Sequence, residues 1–206
     1  MAKSNFKDKY LNWKKEIKKV IKPLIISIIV FAFASLVTLW AARYTTRIDT
    51  VYSPDLVLDN LPVQDWGFLF FIWPIVVISV GLLYSLIVEP KKSYYFIYMA
   101  SFLYLIRALF IVLTHLSTPY DAIDIPLYFE NDVFFSGHTA LPFLCFLMFK
   151  RVWAKAFMLF STFLMGFVVL ITHRHYSIDV AAALFITYAV YKLGNNIFYK
   201  ISAERK

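Results

Sequence analysis

The chain has a single cysteine, Cys145, set inside an apolar run. One thiol excludes an intrachain disulfide and gives no basis for a thiolate metal site. Charge is scarce as well: only 17% of the 206 residues are Asp, Glu, Lys or Arg, against 61% hydrophobic and a mean hydropathy of +0.67. That much apolar surface cannot be hidden in one water-soluble core, so the excess faces lipid. With five glycines, and no internal repeat, low-complexity tract or interdomain linker, the chain lacks the inverted repeats and interrupted helices of many transporters. It reads as one bundle. The net charge of +8 does not mark a nucleic-acid binder, because eight of the 21 basic residues fall in the first 22 positions and most others in short loops or the tail. Such a distribution is a topology signal.

What the chain does have is aromatic residues, 21 Phe, 14 Tyr and 5 Trp, many near the ends of apolar runs, where amphipathic rings sit at headgroup level. Residues 1–22 are lysine-rich with an apolar stripe of Phe6, Tyr10, Trp13, Ile17 and Val20, which predicts an amphipathic basic helix on the membrane surface, the alternative being a disordered basic tail. The run that follows is too long for a cleavable signal peptide and predicts a retained span. Six spans are predicted at about 23–43, 66–88, 93–115, 136–150, 153–172 and 177–199, forming a membrane domain over 23–200 with a basic tail at 201–206. The fold expected is an all-α integral membrane bundle.

The loops alternate in sign. Arg43 to Asp65 holds two arginines against four aspartates. Glu89 to Lys92 is net basic, Ser117 to Phe135 carries Asp121, Asp124, Glu130 and Asp132 without a Lys or Arg, and Lys150, Arg151 and Lys155 follow. The positive-inside rule then predicts cytoplasmic termini and extracytoplasmic histidine-bearing loops.

Ionisable groups at membrane depth pair with one another or line a cavity. Two stretches at predicted outer helix ends concentrate them. In Asn131-Asp132-Val133-Phe134-Phe135-Ser136-Gly137-His138-Thr139, an N-cap at Ser136 places Gly137 and His138 in the first turn, where free backbone N–H groups and the helix dipole favour an anion such as phosphate. In Thr172-His173-Arg174-His175-Tyr176-Ser177-Ile178-Asp179, Asp179 lies four positions after His175, one helical turn, or within reach if Ser177 caps the helix. A carboxylate on one imidazole nitrogen fixes the tautomer and strengthens the other as a nucleophile. A second imidazole, His138, is suited to protonate a departing alkoxide. Arg107, isolated in the third span with Tyr104 and Thr114 on its helical face, and Arg174, beside His175, are candidates to hold a phosphate. Arg107 is alternatively a structural partner of a carboxylate such as Asp132.

Ser136-Gly137-His138-Thr139 followed by His175-Tyr176-Ser177-Ile178-Asp179-Val180 resembles the type 2 phosphatidic acid phosphatase superfamily, and the wording of both motifs is most similar to its sphingomyelin synthase branch. In that branch an aspartate stands four positions before the motif serine, as Asp132 does here. The resemblance implies that His138 donates the proton, His175 is the nucleophile of a phosphohistidine intermediate, and Asp179 orients it. The wider superfamily's first motif, a lysine and an arginine followed by proline, is absent. Val169 stands in the region where that superfamily has a serine and an arginine, and Phe135 replaces a common proline.

The function expected is that of a lipid phosphotransferase or phosphatase at the extracytoplasmic face, in the cell membrane if the chain is bacterial. It would transfer a phosphorylated head group to a lipid alcohol, or hydrolyse a lipid phosphate with water as acceptor. Membrane lipids serve as donor and acceptor. No nucleic acid, cofactor or metal is expected: His173, His175, His138 and Asp179 are ligand types, but residues two apart on a helix point about 200° away from each other, so His173 and His175 would ligate together only from a loop. The alternative from another class is a non-catalytic lipid carrier or small transporter. His115 and His173 taken singly read as hydrogen-bonded anchors.

Overall fold

In a computed structural model of the chain, describing residues 6–125 and 131–204, the apolar runs form six helices: α1 (Phe6–Thr45), α2 (Gly67–Ile87), α3 (Ser93–Leu113), α4 (Gly137–Met148), α5 (Val152–Ile171) and α6 (Ser177–Glu204). No strand occurs among the described residues, and the chain is an all-α membrane bundle. Glu130, Arg205 and Lys206 lie outside the described residues. Five helices are long and apolar enough to cross a membrane. The exception is α4, whose 12 residues rise about 18 Å, short of the roughly 30 Å hydrocarbon core.

The segment expected to lie on the membrane surface is instead continuous with the first span. Pro23 sits inside α1 without ending it, as happens in membrane helices where neighbouring groups re-satisfy the freed carbonyl. The Trp13 indole N–H donates to the Leu86 carbonyl at 2.8 Å, and Glu16 pairs with Lys91 at 3.4 Å. The basic extension is therefore tied to the far end of α2.

Helix α1 shows how side-chain size sets the packing. Ile25, Ile29, Phe33, Leu36 and Trp40 recur at steps of three and four on an exposed face, while Ser27, Ala34, Thr38 and Ala41 are buried. The small residues let α1 lie close along α3, and the Thr38 hydroxyl bonds the Tyr104 carbonyl at 3.1 Å. Short α4 packs against α5 and α6, with α3 and α2 flanking it. Met99, Leu103, Phe135, Leu144 and Ala183 make the core beneath its start. At the far end the Tyr84 hydroxyl donates to Glu89 at 2.7 Å and accepts from the backbone N–H groups of Lys150 and Arg151, gathering the basic loops. The histidine-bearing loops gather at the opposite end, where Val51 pairs with Leu116 in an isolated bridge.

Candidate active site

Two helix starts build the site. Ser136 is the N-cap of α4, its side chain accepting from Thr139 N at 3.4 Å and from the Thr139 hydroxyl at 3.1 Å, which places Gly137 and His138 in the first turn. A Cβ on Gly137 would stand 3.0 Å from Arg107 Nε, so only glycine lets α4 approach that guanidinium without displacing it. The His138 ring packs on buried Phe70 of α2, centroids 4.2 Å apart.

The second start follows a sharp reversal. Helix α5 ends in a Schellman turn: Arg174 N donates to Val169 O at 3.0 Å and His173 N to Leu170 O at 2.9 Å. The position between helix end and loop needs a left-handed backbone, for which glycine is usual. His173 holds it, with φ 52°. Its ring offsets the strain, Nδ1 meeting Asp121 at 2.8 Å and Nε2 meeting the Leu61 carbonyl at 2.9 Å. With both ring nitrogens engaged, His173 anchors three loops.

His175 and Asp179 emerge from this turn fully buried, His175 Nδ1 3.4 Å from Asp179 Oδ2. Asp179 Oδ2 also accepts from Tyr176 N at 2.8 Å, and its backbone carbonyl accepts from Ser136 N at 3.2 Å. The last bond locks the start of α4 to that of α6. It brings the His138 and His175 rings, 37 positions apart in sequence, to a centroid separation of 6.4 Å. Burial pushes the His175 imidazole down to about 3, Arg107 adding to the effect, and the ring also bonds the Val133 backbone. At rest the ring is neutral.

Arg107 is buried in α3 and bound to the segment before α4: Nε donates to Phe135 O at 2.9 Å, and the terminal nitrogens meet the Asp132 carboxylate at 2.9 and 3.3 Å. The carboxylate pairing weighed for Arg107 is thus the geometry found. A cavity of about 120 Å³ opens beside it. Arg107, Asp132, Gly137, His138 and Tyr104 line one part, and Pro74, Val77, Ile78, Leu141, Pro142 and Met165 the rest. Thr114, on the same predicted face as Tyr104, is instead the C-cap of α3.

Arg174 is not on the cavity wall. It is buried, and its Nη1 donates to Ile123 O at 3.3 Å. His115 lies apart from the site and bonds the Val112 carbonyl.

Sequence reasoning missed two residues that shape this region. Phe70, the platform under His138, is one of many aromatics in an apolar run. Asp55, one of the four aspartates of the loop after α1, accepts from Ser177 N at 2.6 Å. Ser177, a candidate cap of α6 by sequence, is the first helical residue, and the acceptor comes from another loop.

Residues 131–196 match the family model described as PAP2 superfamily C-terminal. The match takes in His138, His175 and Asp179 but neither Arg107 nor Asp55. It covers about a third of the chain, and the similarity is to that superfamily's C-terminal region. No curated protein matches the chain.

Proposed function

We propose that the protein transfers a phosphorylated head group between membrane lipids through a phosphohistidine on His175, in the manner of a sphingomyelin synthase, with its site at the extracytoplasmic face. The observation that carries this reading is the pairing of two imidazoles from separate helix starts, 6.4 Å apart, one of them backed by a buried carboxylate. Rings this close can act on one phosphoester, the nucleophile at phosphorus and the acid at the leaving oxygen. The cavity at His138, lined by both polar and apolar residues, supports a lipid substrate.

In the proposed reaction the neutral His175 ring, its Nδ1–H directed at Asp179, attacks phosphorus through the Nε2 lone pair. The bond from phosphorus to the donor's oxygen breaks, and His138 gives its proton to that oxygen. The phosphoryl group now sits on His175, whose positive charge Asp179 stabilises through Nδ1. An acceptor hydroxyl then loses its proton to His138 and attacks phosphorus, which releases His175. Arg107, held by Asp132 and Phe135 O, lends positive charge beside the phosphate, and the α4 N-terminus adds its backbone N–H groups. Arg174, next to His175 in sequence and buried, adds positive charge near the nucleophile. The acidic loops at the site end and the basic loops at the other support the extracytoplasmic placement.

Purified protein given a panel of phospholipid donors, with and without ceramide or diacylglycerol, should form new phospholipid in amounts that track the acceptor. Free phosphate or free phosphorylated head group in its place would identify water as acceptor and a hydrolase. Binding without turnover across the panel would overturn the enzymatic reading.

The pH dependence has a definite sign. Attack requires neutral His175, and lowering its pKa extends the neutral form to more acidic solution. For a phosphodiester donor, kcat/KM should show no acid limb near the ordinary histidine value of about 6.5. A limb there would mean that the nucleophile is solvated and that the buried geometry is not the working one.

A further inference from the structure

We infer that Asp55 is a positioning residue for His175, capping α6 from a distant loop and fixing the turn that carries the nucleophile. The start of a helix leaves backbone N–H groups without partners, and a Ser, Thr, Asp or Asn at the N-cap usually accepts from one of them. Tyr176 occupies that place before α6 and has no oxygen that can fold back so closely. Two carboxylates share the task instead. Asp179, on the first turn, reaches back to Tyr176 N at 2.8 Å, as the acid of a capping box does. Asp55, 122 positions away, takes Ser177 N at 2.6 Å.

Asp55 is itself rigidly held. Its second oxygen accepts from Val57 N at 2.9 Å and Leu58 N at 3.0 Å, and its own N–H donates to Asp59 at 3.1 Å. Burial pushes its carboxyl up, yet the bonds from Leu58, Ser177 and Val57 prevail and hold it below the usual carboxylate range, so it accepts as an anion at neutral pH. The same loop grips the residue between His175 and Ser177: Leu58 and Val133 pack on Tyr176, whose hydroxyl donates to Ser117 O at 3.0 Å and accepts from Ser53 N at 3.5 Å.

The consequence is a division of labour. Because Asp55 satisfies Ser177, the Asp179 carboxylate is left for Tyr176 N and for His175 Nδ1. Without Asp55 the Ser177 amide loses its acceptor, the Asp179 carboxylate on the same turn is drawn toward it, and the 3.4 Å contact that orients the imidazole loosens. A misplacement of about 1 Å in a reacting group is enough for a loss of roughly 10²-fold.

The inference rests on the phosphohistidine reading, and its test separates the two. Wild type, Asp55→Ala, Asp55→Asn and Asn60→Ala are compared, the last changing an exposed residue of the same loop whose side chain bonds only Leu56 O. Asp55→Ala is expected to lower kcat by about 10- to 100-fold with KM within about twofold, and to slow formation of the phosphoenzyme in rapid-quench experiments. Asp55→Asn, whose amide oxygen can still accept from Ser177 N, should retain more activity, and Asn60→Ala should match wild type. Wild-type kcat in a folded Asp55→Ala, or, where the alanine variant does not fold, in Asp55→Leu, which fills the space but has no acceptor, with only the melting temperature lowered, would overturn the inference. So would equal losses in the Asp55 and Asn60 variants. A phosphoenzyme that survives His175→Ala would sink the underlying mechanism instead.

Discussion

His175→Ala should lose turnover of every accepted lipid phosphoester by at least about 10³-fold, because it removes the proposed nucleophile. The measurement is incorporation of label from a ³²P-labelled donor, read both as product and as acid-labile phosphoenzyme; both signals should vanish together. The side chain is fully buried, so its removal leaves a cavity between α4, α5 and α6, and His175→Gln, which fills most of that space, is the control for folding. A glutamine variant that melts like wild type and remains inactive assigns the loss to chemistry. Undiminished activity in either variant removes the nucleophile, and with it the proposed mechanism, while the bundle is unaffected.

Asp179 contributes in a different way. In the proposed mechanism it does not receive the phosphoryl group but sets which nitrogen of His175 attacks and opposes the charge that attack creates. It also joins the two helix starts through its backbone carbonyl and Ser136 N, so acid, nucleophile and anion-binding turn move as one unit.

The membrane bundle was legible because its signal is long and repetitive: runs of apolar residues broken by charged loops need no tertiary information. Helix α4 was harder, since the extended segment before Ser136 shares the composition of the helix after it. Its start was readable only from the Ser-Gly-His-Thr pattern. Likewise His175 and Asp179 were readable together because one helical turn connects them, a relation that sequence spacing encodes directly.

The remaining features depend on contacts the spacing does not encode. Asp55 looks like any acidic loop residue until the fold sets its carboxylate on Ser177. His173 occupies a left-handed position that a pattern search assigns to glycine, and only Asp121 and the Leu61 carbonyl explain the exception. Arg107 announced itself by the cost of burying a lone cation, which requires a nearby acceptor but does not say which one. The continuity of α1 through Pro23 was hidden for the opposite reason: a local rule that proline breaks helices gives way where neighbouring helices support the chain.

For His138 the expected result depends on the leaving group. A lipid alkoxide is a poor leaving group and requires a proton as the bond to phosphorus breaks, so His138→Ala should lower kcat/KM on natural donors by about 10² to 10⁴-fold. An ester with an acidic phenol, such as a p-nitrophenyl phosphodiester carrying an acyl chain, departs without that proton, and on it the same substitution should cost about tenfold or less for the phosphorylation step. The release of p-nitrophenol in a pre-steady-state burst isolates that step. Transfer out of the phosphoenzyme should still be slow, because the acceptor hydroxyl has lost its base, and phosphohistidine should therefore accumulate. Equal losses on both substrates would mean that His138 helps to bind or place the phosphate, a role its first-turn position on α4 and its packing on Phe70 equally permit. No loss on either would leave the acid to some other group, and among the residues lining the cavity the Tyr104 hydroxyl would be the next to test.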